Sequence, residues 1–308
     1  MSQLIECVPN ISEGRRPEVV QAIVDAVKRV PGVKWLDQSS DPDHNRSVLT
    51  FLGTAEVLKA AVLELYDQVH QHLDMQTHEG GHPRMGAVDV VPFIPISNAT
   101  MDDCVKLARE VGEAVAAKHG VPVVLYEEAA SAAHRKNLAD VRKGQYEGMA
   151  DKLTQPEWKP DFGPAAPHPK LGVSAIGARM ALVAYNVYLN TNNLEIAKAI
   201  GVAVRGSSGG LAFVKGMGIY TEERDQVQVS MNLVNYKKTP IYRVFELIKI
   251  EAARYGVQVV GSEVVGLIPQ EALLESAAYY LQIEGYKPDM VLENKIQLVA
   301  AEAEPVAK

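Results

Sequence analysis

The residues of this chain best suited to chemistry lie in one glycine-rich loop. The segment from Thr77 to Pro95 carries two histidines, a glutamate and an arginine, and it runs on into an apolar strand. Histidine has an unperturbed pKa of about 6.5, which suits proton transfer near neutral pH. Pro83 has a fixed φ and directly follows His82, so it restricts the backbone that carries this imidazole. We therefore take His82 as the candidate general base. A loop histidine with a structural hydrogen bond is an equally good interpretation of the spacing alone.

Metal and nucleotide chemistry find little support in the motifs. His78 and His82 flank a glutamate at the spacing of a helical zinc motif, but Gly80, Gly81 and Pro83 do not favour the helix that such a motif needs. The chain has no G-x-G-x-x-G after a strand and no G-x-S-x-G. The run 207–210 is better explained as a turn after a helix than as a phosphate site. We expect no metal, no nucleotide cofactor and no serine-hydrolase chemistry.

Cationic side chains could bind a substrate with several carboxylates, because arginine binds a carboxylate through two parallel hydrogen bonds. The candidates are Arg84, Arg179, Arg205, Lys170 and Lys215. Ordinary solvated charge is the stronger explanation for Lys170 and Arg205. It is weaker for Arg179, which stands inside an apolar strand pattern. Asp37, Asp41 and Asp43 could orient a histidine, and a solvated turn explains Asp41 and Asp43 equally well.

The composition is that of an ordinary globular protein. The chain has 308 residues, 47% hydrophobic and 22% charged, which suits one large domain or two smaller ones. The net charge of -7 argues against general nucleic-acid binding. No apolar stretch predicts a membrane span or a signal peptide, so we expect a cytoplasmic protein. Cys7 and Cys104 are predicted to be small core residues.

Apolar periodicity predicts the order strand, helix, strand, strand, helix, strand in each half of the chain. This is the ferredoxin-like split β-α-β pattern. We predict an α/β protein of the α+β type, with two such subdomains whose mixed sheets face each other and whose helices lie outside. The predicted divisions are residues 1–172, residues 173–300 and a frayed tail at 301–308. One long strand from Val173 to Leu189 is predicted to open the second subdomain.

A proline-rich segment at residues 155–170 links the two predicted halves. It carries five prolines, which exclude regular structure. It also carries Trp158 and Phe162, and exposed aromatic side chains are unfavourable in a plain linker. We predict that the segment is packed and ordered, and that a ligand lies near it, between the two halves.

Several blocks of this sequence resemble the glutamate formiminotransferase domain family. They occur in order and at the spacing expected of that family, from the first residues to about residue 298. The blocks are Glu6–Gly14 (ECVPNISEG), Asn45–Val48 (NRSV), His82–Val90 (HPRMGAVDV), Pro160–Pro164 (PDFGP), Gly177–Arg179 (GAR) and Val259–Pro269 (VVGSEVVGLIP).

The resemblance implies transfer of a formimino group from N-formimino-L-glutamate to the co-substrate tetrahydrofolate, in histidine breakdown, without a metal or nucleotide. It implies two facing α/β subdomains, a charged tunnel between them and a homodimer. Mammalian members are fused to a cyclodeaminase domain. This chain ends too early to contain one, so we expect a separate cyclodeaminase to take the product.

The resemblance also assigns site residues. The family's catalytic histidine corresponds to His82. Independently of the resemblance, we expect Arg84 and Arg179 to hold substrate carboxylates or to balance charge. Ser39 stands where mammalian members have an aspartate, so Asp37 or Asp41 is the candidate carboxylate to assist His82. The family's folate-binding segment corresponds to Gly163, Pro164, Ala165, Ala166, Pro167, His168, Pro169, Lys170, Leu171 and Gly172.

Two alternatives stay open at this point. One is a related reaction, either formyl transfer or cyclisation of 5-formyl-tetrahydrofolate, although an ATP-driven cyclisation should need a nucleotide site. The other is a folate-binding protein without turnover. A titratable histidine in a rigid loop favours chemistry over binding alone.

Overall fold

A computed structural model describes residues 3–81 and 83–303 of the chain. The chain divides into two compact units, the first ending at Met180 and the second beginning at Ala181. Each unit combines a β-sheet with helices, so the predicted α+β class is confirmed. Within the described residues, no helix is both long enough and apolar enough to cross a membrane. That the two sheets face each other stays a prediction.

The first unit contains a mixed sheet and its helices. The strands are β1 (Leu4–Cys7), β2 (Asn10–Ile11), β3 (Lys34–Asp41), β4 (Arg46–Gly53), β5 (Val88–Ser97), β6 (Val123–Glu127) and β7 (Ser174–Ala178). The helices are α1 (Pro17–Arg29), α2 (Ala55–His72), α3 (Met101–His119), α4 (Leu138–Arg142) and α5 (Gln145–Lys152).

The first part of this sheet has the ferredoxin-like strand order. β1 pairs with β4 and β5, and β3 pairs with β4, all antiparallel, so the strands stand in the order β5-β1-β4-β3. β2 pairs with the same two strands as β1. The two short strands therefore act as one strand that is interrupted at Val8 and Pro9. The predicted split β-α-β pattern of the first half is confirmed.

Two parallel strands extend this sheet. β7 pairs in parallel with both β5 and β6, which makes the first sheet mixed, as predicted. The predicted long strand from Val173 to Leu189 is wrong, because the chain leaves the first sheet after Ala178 and enters the second at Val183. Since β7 hydrogen-bonds to β5 and β6, the first unit extends to Met180 rather than ending at Gly172.

The second unit has the same order of elements and a simpler sheet. Its strands stand in the order β11-β8-β10-β9, and every pairing is antiparallel. The mixed sheet predicted here is wrong, because this unit adds no parallel strand to the split β-α-β core. The strands are β8 (Val183–Leu189), β9 (Val214–Thr221), β10 (Gln226–Leu233) and β11 (Val259–Val265), and the helices are α6 (Leu194–Val204), α7 (Ile241–Arg254), α8 (Gln270–Tyr280) and α9 (Leu292–Ala303).

The end of the chain is only partly described. Residues 301–303, which were predicted to begin a frayed tail, belong to α9. Residues 304–308 of that predicted tail lie outside the described residues.

The main core of the first unit lies between its sheet and the helices α1, α2 and α3. Ile5, Cys7 and Ile11 point into this core and are fully buried. Because side chains alternate along a strand, Glu6 and Asn10 lie on the opposite face of the sheet. Each fully buried aliphatic side chain contributes roughly 1.5–3 kcal/mol relative to an exposed one. Cys7 and Cys104 both belong to this core, which confirms their predicted role.

The proline-rich segment is packed and ordered, as predicted. Phe162 packs against the main core beside Gly112, where a β-carbon would lie 3.0 Å from the Phe162 ring. Trp158 packs against a second apolar cluster that includes residues of α4, α5, β6 and β7. The Lys152 ammonium lies 3.9 Å from the centre of the Trp158 ring. The two aromatic residues thus attach the segment to two parts of the same unit.

An ion pair fixes the backbone of the same segment. Arg135 and Asp161 are paired at 2.9 Å, with side chains only 7% and 10% exposed. Arg135 also donates to the carbonyl oxygens of Glu157 and Lys159, at 2.7 and 2.8 Å. Asp161 also accepts from the Leu125 N–H of β6 at 2.8 Å. The pair is therefore hydrogen-bonded on both sides, as a buried ion pair must be if it is to stabilise the fold.

Asp161→Asn should lower the free energy of unfolding of the first unit by about 2–5 kcal/mol, because it leaves the buried Arg135 charge without its counter-charge. Urea denaturation measures the change. Glu195→Gln is the matched control, since it breaks the exposed Glu195–Lys198 pair and should cost less than about 1 kcal/mol. Equal effects of the two substitutions would contradict this account.

Candidate active site

The side chain of Asn45 holds the glycine-rich loop against the turn between β3 and β4. Asn45 is 8% exposed and has a φ of 49°, a conformation that asparagine adopts more readily than most residues. Its amide nitrogen donates to the Glu79 carbonyl oxygen at 2.7 Å, and its amide oxygen accepts from the Gly14 N–H at 2.9 Å. The Gly81 N–H adds a bond to the Asp43 carbonyl oxygen at 3.1 Å. One buried amide thus joins three segments.

His78 connects this loop to Arg84. The His78 Nε2 lies 3.1 Å from the Asn45 carbonyl oxygen, and its Nδ1 lies 3.3 Å from the Arg84 Nε. A carbonyl only accepts and a guanidinium only donates, so the proton sits on Nε2 and Nδ1 accepts. Burial lowers the pKa of His78, and the Arg84 charge lowers it further, while the bond to Asn45 opposes them. His78 is therefore neutral at pH 7.

The backbone around His78 is not helical, and both of its ring nitrogens are engaged. The two features together rule out the helical zinc motif at this position. Across residues 3–81 and 83–303, no three His, Cys, Asp or Glu side chains are placed to hold a metal ion.

Arg84 is anchored by a carboxylate from α5. Its guanidinium donates to both carboxylate oxygens of Glu147, at 3.0 and 2.7 Å, and to the His78 carbonyl oxygen at 3.3 Å. The Arg84 side chain is only 11% exposed. The hydrogen bonds from Arg84 lower the pKa of Glu147. A substrate carboxylate that binds Arg84 would have to replace Glu147 or share the guanidinium with it.

A narrow polar crevice lies beside the loop. One of its lining residues, Asp89, is 1% exposed, pairs with Arg142 and accepts the Met85 N–H at 2.9 Å. Burial lowers the pKa of Arg46, and the nearby Arg142 charge lowers it further. The crevice is lined by Ser12, His44, Asn45, Arg46, His78, Arg84 and Asp89.

Among the described residues, Asp41 of the three candidate aspartates is hydrogen-bonded to a histidine, which is His44. The His44 Nδ1 lies 2.5 Å from Asp41 Oδ2, and the His44 N–H donates to Oδ1 at 2.9 Å. Burial raises the pKa of Asp41, but these hydrogen bonds outweigh it and the pKa is lowered overall. Asp37 and Ser39 lie further along β3, opposite Thr50 and Val48 of β4. His82 lies outside the described residues, so its catalytic role and its carboxylate partner stay predictions.

The predicted folate-binding segment meets the glycine-rich loop through two glycines. Gly86 and Gly172 form a β-bridge. A β-carbon on Gly86 would lie 2.2 Å from the Val173 carbonyl oxygen, and one on Gly172 would lie 2.4 Å from the Met85 carbonyl oxygen. Gly172 also has a φ of 70°, which favours glycine. The structure therefore joins the two predicted segments backbone to backbone.

Side chains tie this segment to two helices. Lys170 donates from Nζ to the His70 carbonyl oxygen of α2 at 2.6 Å, so it has a structural contact instead of purely solvated charge. The Tyr146 hydroxyl of α5 donates to the Pro169 carbonyl oxygen at 3.1 Å. The Tyr146 N–H also donates to the Arg84 carbonyl oxygen at 2.8 Å. Tyr146 therefore contacts both predicted site segments.

Arg179 belongs to a different part of the first unit. It follows β7, whereas Arg84 precedes β5, and these strands are parallel with Phe93 opposite Ala178. The backbones of the two arginines thus lie toward opposite ends of the strands, at least about 15 Å apart at the rise of a strand. The Arg179 charge acts on two neighbours. Burial raises the pKa of Glu6, and Arg179 partly offsets this. Burial raises the pKa of Tyr126 to about 12, again with Arg179 opposing.

The two remaining cationic candidates lie in the second unit. Arg205 caps the end of α6 and donates to the Ser208 hydroxyl at 2.7 Å. Lys215 lies in β9. The glycines after α6 form a turn, as predicted, with Gly209 at a φ of 92°.

Several site residues were missed in the sequence. Glu147, Arg142 and Tyr146 come from the helical region after β6, far in sequence from the loop that they hold. No local motif marks them, because their role depends on tertiary contacts. Asn45 could have been found, since asparagine in a turn between two strands is a common choice for a positive φ.

Comparison with known proteins gives matches over both units. The family model for the formiminotransferase domain, N-terminal subdomain, matches residues 4–179, and the model for the formiminotransferase domain matches residues 184–303. Proteins named glutamate formimidoyltransferase from Streptococcus pyogenes serotype M1 and Thermoplasma acidophilum are each 48% identical to this chain. Each match covers 96% of this chain, and 99% and 98% of the respective relatives.

A longer relative matches over part of its length. The formimidoyltransferase-cyclodeaminase of Sus scrofa is 44% identical, with 97% of this chain and 56% of that protein covered. Together these matches confirm the resemblance found in the sequence motifs.

Gly86→Ala should lower the free energy of unfolding of the first unit by at least about 2 kcal/mol, because the new methyl group meets backbone atoms that cannot move away. Gly148→Ala is the matched control: it lies inside α5 with open space around its β-carbon position. That substitution should raise stability by up to about 1 kcal/mol. Chemical denaturation of both variants measures the difference. A tolerated Gly86→Ala would show that the two segments do not pack this closely.

Proposed function

This chain belongs to the formiminotransferase family, and we propose on that premise that it transfers the formimino group of N-formimino-L-glutamate to tetrahydrofolate. The products are 5-formimino-tetrahydrofolate and L-glutamate, formed in histidine breakdown. The observation that carries the proposal is the 48% identity, over nearly the whole of both chains, to relatives named glutamate formimidoyltransferase.

In the proposed reaction, the N5 lone pair of tetrahydrofolate attacks the formimino carbon and forms a tetrahedral adduct. His82 takes the proton from N5 and then donates it to the glutamate nitrogen as the bond between that nitrogen and the carbon breaks. The nitrogen leaves as an amine, and the imidazole returns to its starting state. One histidine thus serves as base and then as acid, as its pKa range permits.

The geometry around His82 supports this role. Gly81 is hydrogen-bonded to Asp43, and Arg84 is held by Glu147 and His78, so the loop is fixed at residues 81 and 84, on either side of His82 in the sequence. A firmly placed group lowers the entropy lost on reaching the transition state. Tetrahydrofolate would bind along residues 163–172, whose end contacts the same loop at Gly86.

The proposed substrates carry carboxylates, and the two predicted arginines would serve different ones. Arg84 is two residues from the proposed base in the sequence, so it would act near the reacting end of a substrate. Arg179 lies at the opposite end of the parallel strands, close to the half-buried Glu6. Because their backbones lie toward opposite ends of these strands, we assign a separate carboxylate to each arginine.

The remaining parts of the proposal rest on the family resemblance. They are a homodimer, a cytoplasmic location, and a separate cyclodeaminase that consumes 5-formimino-tetrahydrofolate. Formyl transfer, 5-formyl-tetrahydrofolate cyclisation and folate binding without turnover are the outcomes that would replace formimino transfer.

His82→Ala should reduce kcat by about 10²–10⁴-fold while the protein stays folded, because it removes the proposed general base. Mass spectrometry of mixtures with tetrahydrofolate and N-formimino-L-glutamate measures both products. His72→Ala is the matched control, since His72 is an exposed residue in the last turn of α2, and it should keep normal turnover. Near-normal turnover of a folded His82→Ala variant would refute the role of His82.

If the native chain binds tetrahydrofolate but gives no product, even in a single turnover, it is a folate-binding protein without turnover. Product from a formyl donor alone would favour the related one-carbon reaction.

A further inference from the structure

The imidazole of His168 forms the centre of the turn that ends the proposed folate-binding segment. Its Nδ1 lies 2.9 Å from the Leu171 nitrogen and 3.2 Å from the Lys170 nitrogen. Both partners are backbone N–H donors, so Nδ1 must be an unprotonated acceptor, and the single ring proton sits on Nε2. His168 and Gly172 also exchange two backbone hydrogen bonds, at 3.0 and 2.8 Å. A neutral His168 therefore fits this turn and a protonated one does not.

Other histidines pack against His168 from the helices. His70 of α2 meets the His168 ring edge-on, with 5.4 Å between ring centres, and His119 of α3 lies 5.9 Å from His70. Lys170 of the same turn reaches the His70 carbonyl oxygen. A proton on His168 would therefore lie beside one ammonium group and other imidazoles.

Asp67, Lys118 and Tyr146, which also lie near this cluster, have other partners. Asp67 of α2 pairs with Lys118 of α3 at 2.5 Å and lies 3.6 Å from the His119 Nε2. Tyr146 of α5 donates its hydroxyl proton to the Pro169 carbonyl oxygen. The Asp67 carboxylate is thus directed at Lys118 and His119, away from His168.

The surroundings disfavour the charged form of His168. Burial lowers the pKa of this histidine, and the nearby His70 and Lys170 lower it further. A histidine whose pKa is lowered in the folded state stabilises that state fully above its ordinary pKa of about 6.5. This contribution is lost as the pH falls through the lowered value.

We propose that His168 is a positioning residue whose neutral imidazole holds the turn 168–172 in the form that binds tetrahydrofolate, and that acid releases this turn. The proposal rests on the proposed function of residues 163–172. The turn continues directly into Gly172, which packs on Gly86 of the glycine-rich loop. Release of the turn would therefore weaken folate binding at a contact with the proposed catalytic loop.

Two substitutions separate this role from a general structural one. In His168→Asn, the amide oxygen takes roughly the place of Nδ1 and can accept both backbone N–H bonds without titrating. In His168→Gln, the amide group takes roughly the place of Nε2, and the Nδ1 acceptor is lost. The variants carry the same functional group and differ in where it lies.

The first measurement is hydrogen exchange at the Lys170 and Leu171 amides, corrected for intrinsic rates, at pH 7.5 and 5.5. The native chain should lose protection by about tenfold or more on acidification, the scale of one or two lost hydrogen bonds. His168→Asn should stay protected at both values, and His168→Gln should be unprotected at both. Flat protection in the native chain, or identical behaviour of the two variants, would overturn the proposal.

The second measurement compares KM for tetrahydrofolate with kcat over the same pH range. The native KM should rise on acidification, the KM of His168→Asn should stay flat, and that of His168→Gln should be raised throughout. Changes in kcat from titration of His82 are common to all three proteins, so they do not affect the comparison.

The two proposals fail separately. The expected exchange pattern without formimino transfer at any pH would support the role of His168 in the turn and refute the proposed function. Normal formimino transfer, with a KM for tetrahydrofolate that changes equally with pH in all three proteins, would support the proposed function and refute the role of His168.

Discussion

The close approach of Gly86 to Gly172 is the constraint on which the candidate site depends. At this point two backbones occupy the space that side chains would take, with carbonyl oxygens 2.2 and 2.4 Å from the positions of absent β-carbons. The contact brings a loop between α2 and β5 together with the end of a segment that precedes β7. The contact is an isolated antiparallel bridge, and the parallel pairing of β5 and β7 begins a few residues further on, with Val90 opposite Ala175.

Around this contact, the site uses neutral histidines and paired charges. His78 and His168 each accept a hydrogen bond at Nδ1 from a group that only donates, which fixes one tautomer in each ring. Arg84 pairs with Glu147, and Arg142 pairs with Asp89. Such pairing limits the cost of burying charge and holds each group in one place. His78 and His168 therefore position the backbone of the site.

The local sequence pattern predicted most of the helices and strands, because apolar spacing and capping residues within each segment determine them. The helices α1, α2 and α3 follow apolar spacing, and α3 begins with a capping box at Thr100, a signal that can be read from sequence. The ferredoxin-like order in each unit followed from the succession of strands and helices. The glycine-rich loop was found because its residue types are unusual together.

The features that the sequence did not predict depend on tertiary contacts. The apolar run from Val173 to Leu189 reads as one strand, yet the chain changes sheets near Arg179, and only strand pairing decides that. The parallel β7 could not be predicted from periodicity, because a short apolar run fits several positions in a sheet. Likewise, Glu147 and Tyr146 lie on a short helix with no motif, and their role depends on contact with a loop about sixty residues earlier.

The central claim is that the glycine-rich loop and residues 163–172 form one folate site. Hydrogen–deuterium exchange of the native chain, with and without tetrahydrofolate, tests this most directly. The account predicts that tetrahydrofolate increases protection in residues 78–88 and in residues 163–172 together, with the same dependence on its concentration. Protection confined to one of these segments, or appearing only elsewhere in the chain, would contradict it.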